Sequence, residues 1–238
     1  MARVLVTRAS GRGDALIEGL RAAGVEVVEV NLLAFEATGA TLPTPMPGDW
    51  LLLSSATTIG YILEQSLDFL KNCSKIAVIG PATARALRAA GREPTVMPDE
   101  ALGARVVEAL GELRGRRVLY PRAEVVPPGL EDALRAAGAE VLSTPLYRTV
   151  CPPGAAEALR ALGPVDLVAL ASGSAARHLA ATGVFPPQTS VVAIGPSTAE
   201  VAEGVGLRVV AVADPHTSEG LAAAALEVIR RGASSDPS

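Results

Sequence analysis

Val78–Gly91 reads VIGPATARALRAAG, and Ala193–Gly206 reads AIGPSTAEVAEGVG. Each is an apolar run, then Gly-Pro, a small residue, Thr and Ala, then a helical pattern that ends at Gly. Two further pairs show why one polar turn is built twice. RVLVTRA (Arg3–Ala9) resembles RVLYPRA (Arg117–Ala123), and the helices after them end in LRAAGVEV (Leu20–Val27) and LRAAGAEV (Leu134–Val141). DWLLLSSAT (Asp49–Thr57) resembles DLVALASGS (Asp166–Ser174). The three pairs run in the same order at offsets of 114, 117 and 115 residues. Such matches at one near-constant offset are hard to reach by chance, so the chain consists of two related halves.

Each half has the α/β rhythm. VLV, LLLSS, IAVIG, RVLYP, LVALAS and VVAIG are short apolar runs suited to buried parallel strands. A polar turn with Gly, Ser, Thr or Pro follows each, then about ten residues of helix-forming Ala, Leu, Arg and Glu. VEVVEV, PTVMP, AEVLSTP and LRVVAVA read as second strands after the helices. The alternation predicts an α/β fold of two lobes, each a parallel β-sheet flanked by helices. Two Pro/Thr-rich junctions, Ala34–Asp49 and Ser143–Gly154, lie at equivalent places in the repeat. FEAT and YRTV inside them are β-prone and could run side by side as a two-stranded linker.

The totals exclude several function classes. Hydrophobic residues make up 49% of the 238 and charged residues 19%, as in a core-forming globular protein. No segment approaches the roughly 18 consecutive apolar residues of a membrane span. The start, MARVLVTRASGRGD, turns polar too soon for a signal peptide, so a cytoplasmic location is expected. A net charge of −4 and no basic cluster argue against nucleic-acid binding. Cys73 and Cys151 lack CxxC spacing, as in a reducing compartment. His178 and His216 have no neighbours at metal-ligand spacing, which removes metal and Ser-His or Cys-His chemistry and reads both as surface or capping residues. Lys occurs only at Lys71 and Lys75, an Arg bias that carries no functional meaning.

In an open parallel sheet, ligands bind beyond the carboxyl ends of the strands, so the repeated turns mark the site. They are Thr7-Arg8, Ser54-Ser55-Ala56-Thr57, Gly80-Pro81-Ala82-Thr83, Pro121-Arg122, Ser172-Gly173-Ser174 and Gly195-Pro196-Ser197-Thr198. Small hydroxyl residues and Gly at helix starts present unpaired N–H groups and the positive end of the helix dipole. Such turns hold carboxylate or phosphate without net positive charge. Gly80 and Gly195 would let a ligand approach the backbone closely, and Pro81 and Pro196 suit the first helical position. The plainer reading of the serines and threonines is capping. Neither GxxxxGK[ST] nor a GxGxxG after a strand is present. Asp49 and Asp166 precede strands and read as solvated or capping. Arg8 and Arg122 follow strands at equivalent positions, where each meets either an anion or a structural carboxylate. Tyr147, in PLYRTV, either packs only or donates a neutral hydrogen bond to a departing hydroxyl. Tyr61 and Tyr120 read as structural.

With these residues assembled, the chain resembles the uroporphyrinogen-III synthase family along nearly its whole length. The motifs are LLLSSAT, VIGPATA, VLYPRAE, YRTV, LASGSA, IGPSTA and PHTSEGL, in that order. The resemblance implies exchanged lobes: 1–35 with 152–238, and 39–145, joined by linkers at about 36–38 and 146–151. It implies conversion of hydroxymethylbilane to uroporphyrinogen III, a cyclising hydro-lyase reaction with inversion of the terminal ring through a spiro intermediate. The unaided substrate closes without inversion, so control of geometry dominates. By the same resemblance Tyr147 assists loss of the hydroxyl. Ser55, Thr83, Ser172, Ser174, Ser197 and Thr198, with nearby backbone N–H groups, hold the acetate and propionate groups. The implied partners are a linear tetrapyrrole and, in hand-over, hydroxymethylbilane synthase, with no cofactor, metal, nucleic acid or membrane; a monomer is the simplest assembly. The rival reading is a non-catalytic hinge protein closing on a small anion. A response-regulator-like pair fails for want of an acidic cluster after the first strand. Two thin connections predict lobes that rotate and close on the ligand.

Overall fold

A strand buried on both faces sends alternate side chains into different cores, and that pattern organises this protein. The structure, a computed structural model, describes residues 1–7, 14–98, 102–186 and 188–233. In chain order the elements are β1 (Arg3–Val6), α1 (Ala15–Ala22), β2 (Glu26–Glu29), β3 (Ala34–Ala37), β4 (Trp50–Leu53), α2 (Ala56–Gln65), α3 (Phe69–Asn72) and β5 (Lys75–Val78). Next come α4 (Pro81–Ala89), α5 (Gly103–Leu110), β6 (Arg117–Ala123), α6 (Leu130–Ala136), β7 (Glu140–Val150) and α7 (Ala155–Leu162). The chain ends with β8 (Leu167–Leu170), α8 (Gly173–Ala181), β9 (Ser190–Ala193), α9 (Pro196–Gly204), β10 (Arg208–Val212) and α10 (Ser218–Ala233). No helix among the described residues is long and apolar enough to cross a membrane.

Contacts divide the chain into two units, Met1–Ala34 with Val150–Ser238, and Phe35–Thr149. The first holds a sheet of order β10-β9-β8-β1-β2 and the second a sheet of order β3-β7-β6-β4-β5. The ladders among β1, β2, β8, β9 and β10, and among β4, β5, β6 and β7, are parallel. In the second unit Leu51 and Leu53 enter the core beneath α2, α3 and α4. Trp50 and Leu52 enter the core beneath α5 and α6. In the first unit Val4 and Val6 pack with α1 and α10, and Leu5 packs with α7, α8 and α9. Each fully buried leucine contributes about 2 kcal/mol of transfer free energy.

The sheets are built by exchange between the repeats. β1 of the first copy pairs with β8 of the second, and β6 of the second pairs with β4 of the first. Equivalent Arg–Asp contacts follow. Asp166 accepts the Arg3 backbone N–H at 2.7 Å, and the Arg117 guanidinium lies 3.3 Å from Asp49. Asp49 is therefore not solvated: it is 6% exposed and also accepts the Met46 N–H at 2.8 Å.

Residues 36–38 and 146–151, read as linkers, fall largely within or beside paired strands. β3 is the neighbour of β7 at the edge of the second sheet, and the Thr38 N–H donates to the Leu146 carbonyl at 3.0 Å. PTVMP forms no strand, only a bridge from Val96 to Ala77. Pro94 and Pro98 flank it, and proline has no N–H to extend a ladder.

Candidate functional site

Both units bring the same two turns together at the carboxyl edge of the sheet. In the second, the Ile79 N–H donates to the Leu53 carbonyl at 2.8 Å. This sets Gly80-Pro81-Ala82-Thr83 beside Ser54-Ser55-Ala56-Thr57. In the first, the Ile194 N–H donates to the Leu170 carbonyl at 2.9 Å and sets Gly195-Pro196-Ser197-Thr198 beside Ser172-Gly173-Ser174. Arg8, also expected at this edge of the first unit, lies outside the described residues.

The capping reading holds at both serine turns. Ser55 accepts from the Thr57 N–H at 3.2 Å and Ser172 from the Ala175 N–H at 3.2 Å, each from extended backbone. A cap contributes about 1 kcal/mol and leaves the hydroxyl proton free to donate elsewhere. The two Gly-Pro turns have no side-chain cap and carry Pro at the helix start. They differ in backbone. Gly80 has φ 87°, which favours glycine, with open space where a Cβ would stand. Gly195 is extended at φ −170°, and its nearest neighbour is the His216 ring at an ordinary 3.5 Å.

Four expectations change. Thr83 and Thr198, expected to grip carboxylates, are 3% and 5% exposed. At the third position of α4 and α9 they turn inward with Leu87 and Ala202, one helical turn on. Gly173 serves helix packing as well: a Cβ there would lie 3.0 Å from Val201 of α9. Arg122 meets no open anion site. Its guanidinium donates to Glu131 at 2.7 Å, to Ser143 at 2.6 Å and to the carbonyls of Ala123 and Glu124. Burial pushes the Glu131 carboxyl up, but the Ser143 hydroxyl, the Arg122 charge and Arg135 outweigh it and hold the group below its ordinary range. The structural carboxylate is thus the partner of Arg122. Tyr120, read as structural, stands at a cavity.

That cavity, of about 600 Å³, lies wholly within the second unit at the carboxyl ends of β4 and β6. Its size is ordinary for a small-molecule site. Among the expected site residues it brings together Ser55 and Tyr147. Ser54 and Tyr120 add two more hydroxyls, 3.1 Å apart. The remaining wall is apolar or glycine: Ile79, the start of α5 at Leu102–Ala104, Ala123, and Val126–Leu130 with Ala133 before and within α6. Tyr147 is 4% exposed and clamped, stacked on Tyr61 at 5.0 Å and edge-on to Phe35 at 5.5 Å. Burial and nearby Glu64 push the Tyr61 phenol up. The cavity therefore offers neutral O–H donors of fixed position inside apolar walls. This suits orienting an oxygen-bearing ring better than moving protons between charged groups. Only the register of β6 against β4 and β7 reveals Tyr120. The β4–β6 ladder ends at Leu51–Leu119 while β6–β7 runs on to Ala123–Tyr147.

The family model described as uroporphyrinogen-III synthase HemD matches residues 14–223. A curated relative, the uroporphyrinogen-III synthase of Synechococcus elongatus, is 31% identical over 160 residues, 62% of this chain and 61% of the relative. The match thus spans about three fifths of that relative's length. Among solved structures, the uroporphyrinogen-III synthetase of Helicobacter pylori aligns at TM-score 0.69 and 18% identity, over 96% of this chain and 100% of the other. A mutant synthase from Thermus thermophilus aligns at 0.55 and 19%, over 99% and 100%. At these identities the two structures speak for the fold.

Proposed function

The chain belongs to the uroporphyrinogen-III synthase family, and on that premise we propose that it cyclises hydroxymethylbilane to uroporphyrinogen III. The reaction is a hydro-lyase step. The terminal hydroxyl leaves as water, the substituted carbon of the last ring attacks the resulting azafulvene-type cation to form a spiro intermediate, that intermediate reopens on the other side of the ring, and the inverted ring closes the macrocycle through its free α-carbon, which loses its proton. The observation that carries the reading is one cavity walled by Ser55 and the clamped Tyr147.

Each role follows from placement. Tyr147 donates to the departing hydroxyl without carrying charge, and the Tyr61 and Phe35 rings fix its direction. Ser55, Ala56, Thr57 and Gly80 in the second unit meet ring carboxylates through hydroxyls and first-turn N–H groups, and the matching turn residues Ser172, Ser174, Gly195 and Ser197 give the first unit the same capacity. Thr83 and Thr198 support those turns from beneath. Apolar walls exclude water from a cation that water would quench. The reaction needs no cofactor. The same reading takes the enzyme as a cytoplasmic monomer receiving its short-lived substrate from hydroxymethylbilane synthase.

The test is direct. The protein is incubated with freshly generated hydroxymethylbilane, the product is oxidised, and the porphyrin isomers are separated. A dominant type III isomer is expected. Type I alone, at the rate without protein, would overturn the proposal and favour a hinged anion-binding protein.

A further inference from the structure

Two hydroxyls in the cavity have no part in the roles above. Tyr120 is 1% exposed, and its hydroxyl lies 3.1 Å from Ser54 Oγ. Its ring packs with Trp50, Leu52 and Val106 on one face of the sheet, whereas Tyr147 packs on the other. The cavity is thus walled by one tyrosine from each face.

The duplication supplies a control for what the scaffold needs. At an offset of 114 the counterpart of Tyr120 is Val6, and at 117 the counterpart of Ser54 is Ala171. Val6 and Ala171 sit in one apolar core of the first unit. The same strand positions fold without either hydroxyl, so the pair is a feature of the cavity and not of the sheet.

Two hydroxyls sharing one hydrogen bond leave one O–H proton unplaced, whichever of them donates. Burial, first among the causes, pushes the Tyr120 phenol up from its ordinary range against opposing contributions from Ser54 and Arg122. The group is a neutral donor and not a base.

We propose that Tyr120 and Ser54 form a substrate-binding hydroxyl pair that donates one hydrogen bond to a carboxylate oxygen of the ring held beside Tyr147, and so orients that ring for closure. This rests on the cyclisation proposed above. Carboxylate is the matching group because every ring carries two, whereas the single departing hydroxyl is served by Tyr147. The pair acts as a unit, since removing either hydroxyl frees the other to rotate.

The experiment compares Tyr120→Phe, Ser54→Ala and the double variant with the wild type, reading kcat, KM, isomer ratio and melting temperature. Each single variant is expected to lose about three- to tenfold in kcat/KM, the worth of one ordinary hydrogen bond. Each is also expected to raise the share of type I product, which a purely structural role would not do. The double variant should be no worse than the single ones. Wild-type kcat/KM and isomer ratio in both single variants would overturn the pair's role, as would strictly additive losses. If Tyr120→Phe fails to fold, Ser54→Ala alone decides by the same readouts. A wild type yielding only type I overturns the cyclisation and this inference together, and the wild-type lane alone identifies that case.

Discussion

Gly220 lies in the first turn of α10, and the same substitution there and in α2 should have opposite signs. A Cβ on Gly220 would stand 1.9 Å from the Pro215 carbonyl oxygen, 3.0 Å from its carbon and 3.2 Å from its nitrogen. An ordinary C···O approach is about 3.3 Å, so the overlap is roughly 1.4 Å against backbone that no rotamer change relieves. Relief requires the first turn of α10 to move, which strains the hydrogen bond from the Gly220 N–H to Thr217 Oγ1, 3.1 Å long. Overpacking of this kind costs about 3 kcal/mol, against a helix-propensity gain of about 1 kcal/mol for Gly→Ala. Gly220→Ala should therefore destabilise by about 2 kcal/mol. Gly60, inside α2, is exposed and has nothing within 4 Å of a built Cβ. Only propensity acts there, and Gly60→Ala should stabilise by about 0.5–1 kcal/mol. Urea denaturation followed by circular dichroism reads both. At an m-value of about 2 kcal/mol/M the two midpoints should differ by more than about 1 M, on either side of the wild type. A Gly220→Ala midpoint at or above the wild type would refute the steric argument.

Other outcomes follow from single contacts. Tyr147→Phe should lower kcat by about 100-fold, the low end for a positioned proton donor, in initial-rate assays of the cyclisation; an unchanged kcat would remove the hydroxyl from the mechanism. Asp49→Ala should cost about 3 kcal/mol by urea denaturation, because it strands Arg117, whose Nη1 already lacks a hydrogen-bond partner. Asp166→Ala, which loses a bond to one backbone N–H, should cost about 1 kcal/mol. The Glu131 carboxyl is depressed below its ordinary 4.5, so its stabilisation is present above that pH and is lost as the pH falls through the lower folded value. Glu131→Gln should flatten that part of the acid-unfolding profile, and an unchanged profile would deny Glu131 the role. Burial pushes the Cys73 thiol up to about 11, and Cys73 is 3% exposed. A maleimide at pH 8 should label the less buried Cys151 first and Cys73 only on unfolding, with mass spectrometry deciding the order.

What the sequence discloses is what depends on local pattern. The continuous apolar run of LLLSS, the caps at Ser55 and Ser172, and Pro at the start of α4 and α9 are each set within a few residues, and all are found in the structure. The fate of Arg122 depends on Glu131 and Ser143, 9 and 21 residues away, on α6 and β7. No local pattern foretells that meeting. Thr83 and Thr198 sit in turns that look exposed, but helix phase turns them inward, and phase is set only once the helix start is fixed. Tyr120 escapes notice for another reason. A tyrosine in an apolar strand reads as core, which it is, and its hydroxyl matters only because the β4–β6 ladder ends just before it, at Leu119.

Duplication gives two copies the same turn, but it does not give them the same chemistry. β6 and β7 continue well beyond the length of β1 and β2, to Ala123 and Val150. That extension carries Tyr147 and the Ala123 wall to the carboxyl edge of one sheet. The other sheet has Val6 and Ala171 where the first has Tyr120 and Ser54. Gly80 and Gly195 record the same divergence in the backbone, one left-handed and one extended, within otherwise matching Ile-Gly-Pro-x-Thr-Ala turns. On the cyclisation proposed above, inverting one ring of four calls for an asymmetric site, and the cavity beside the extended β6 and β7 is where this chain departs from its own repeat.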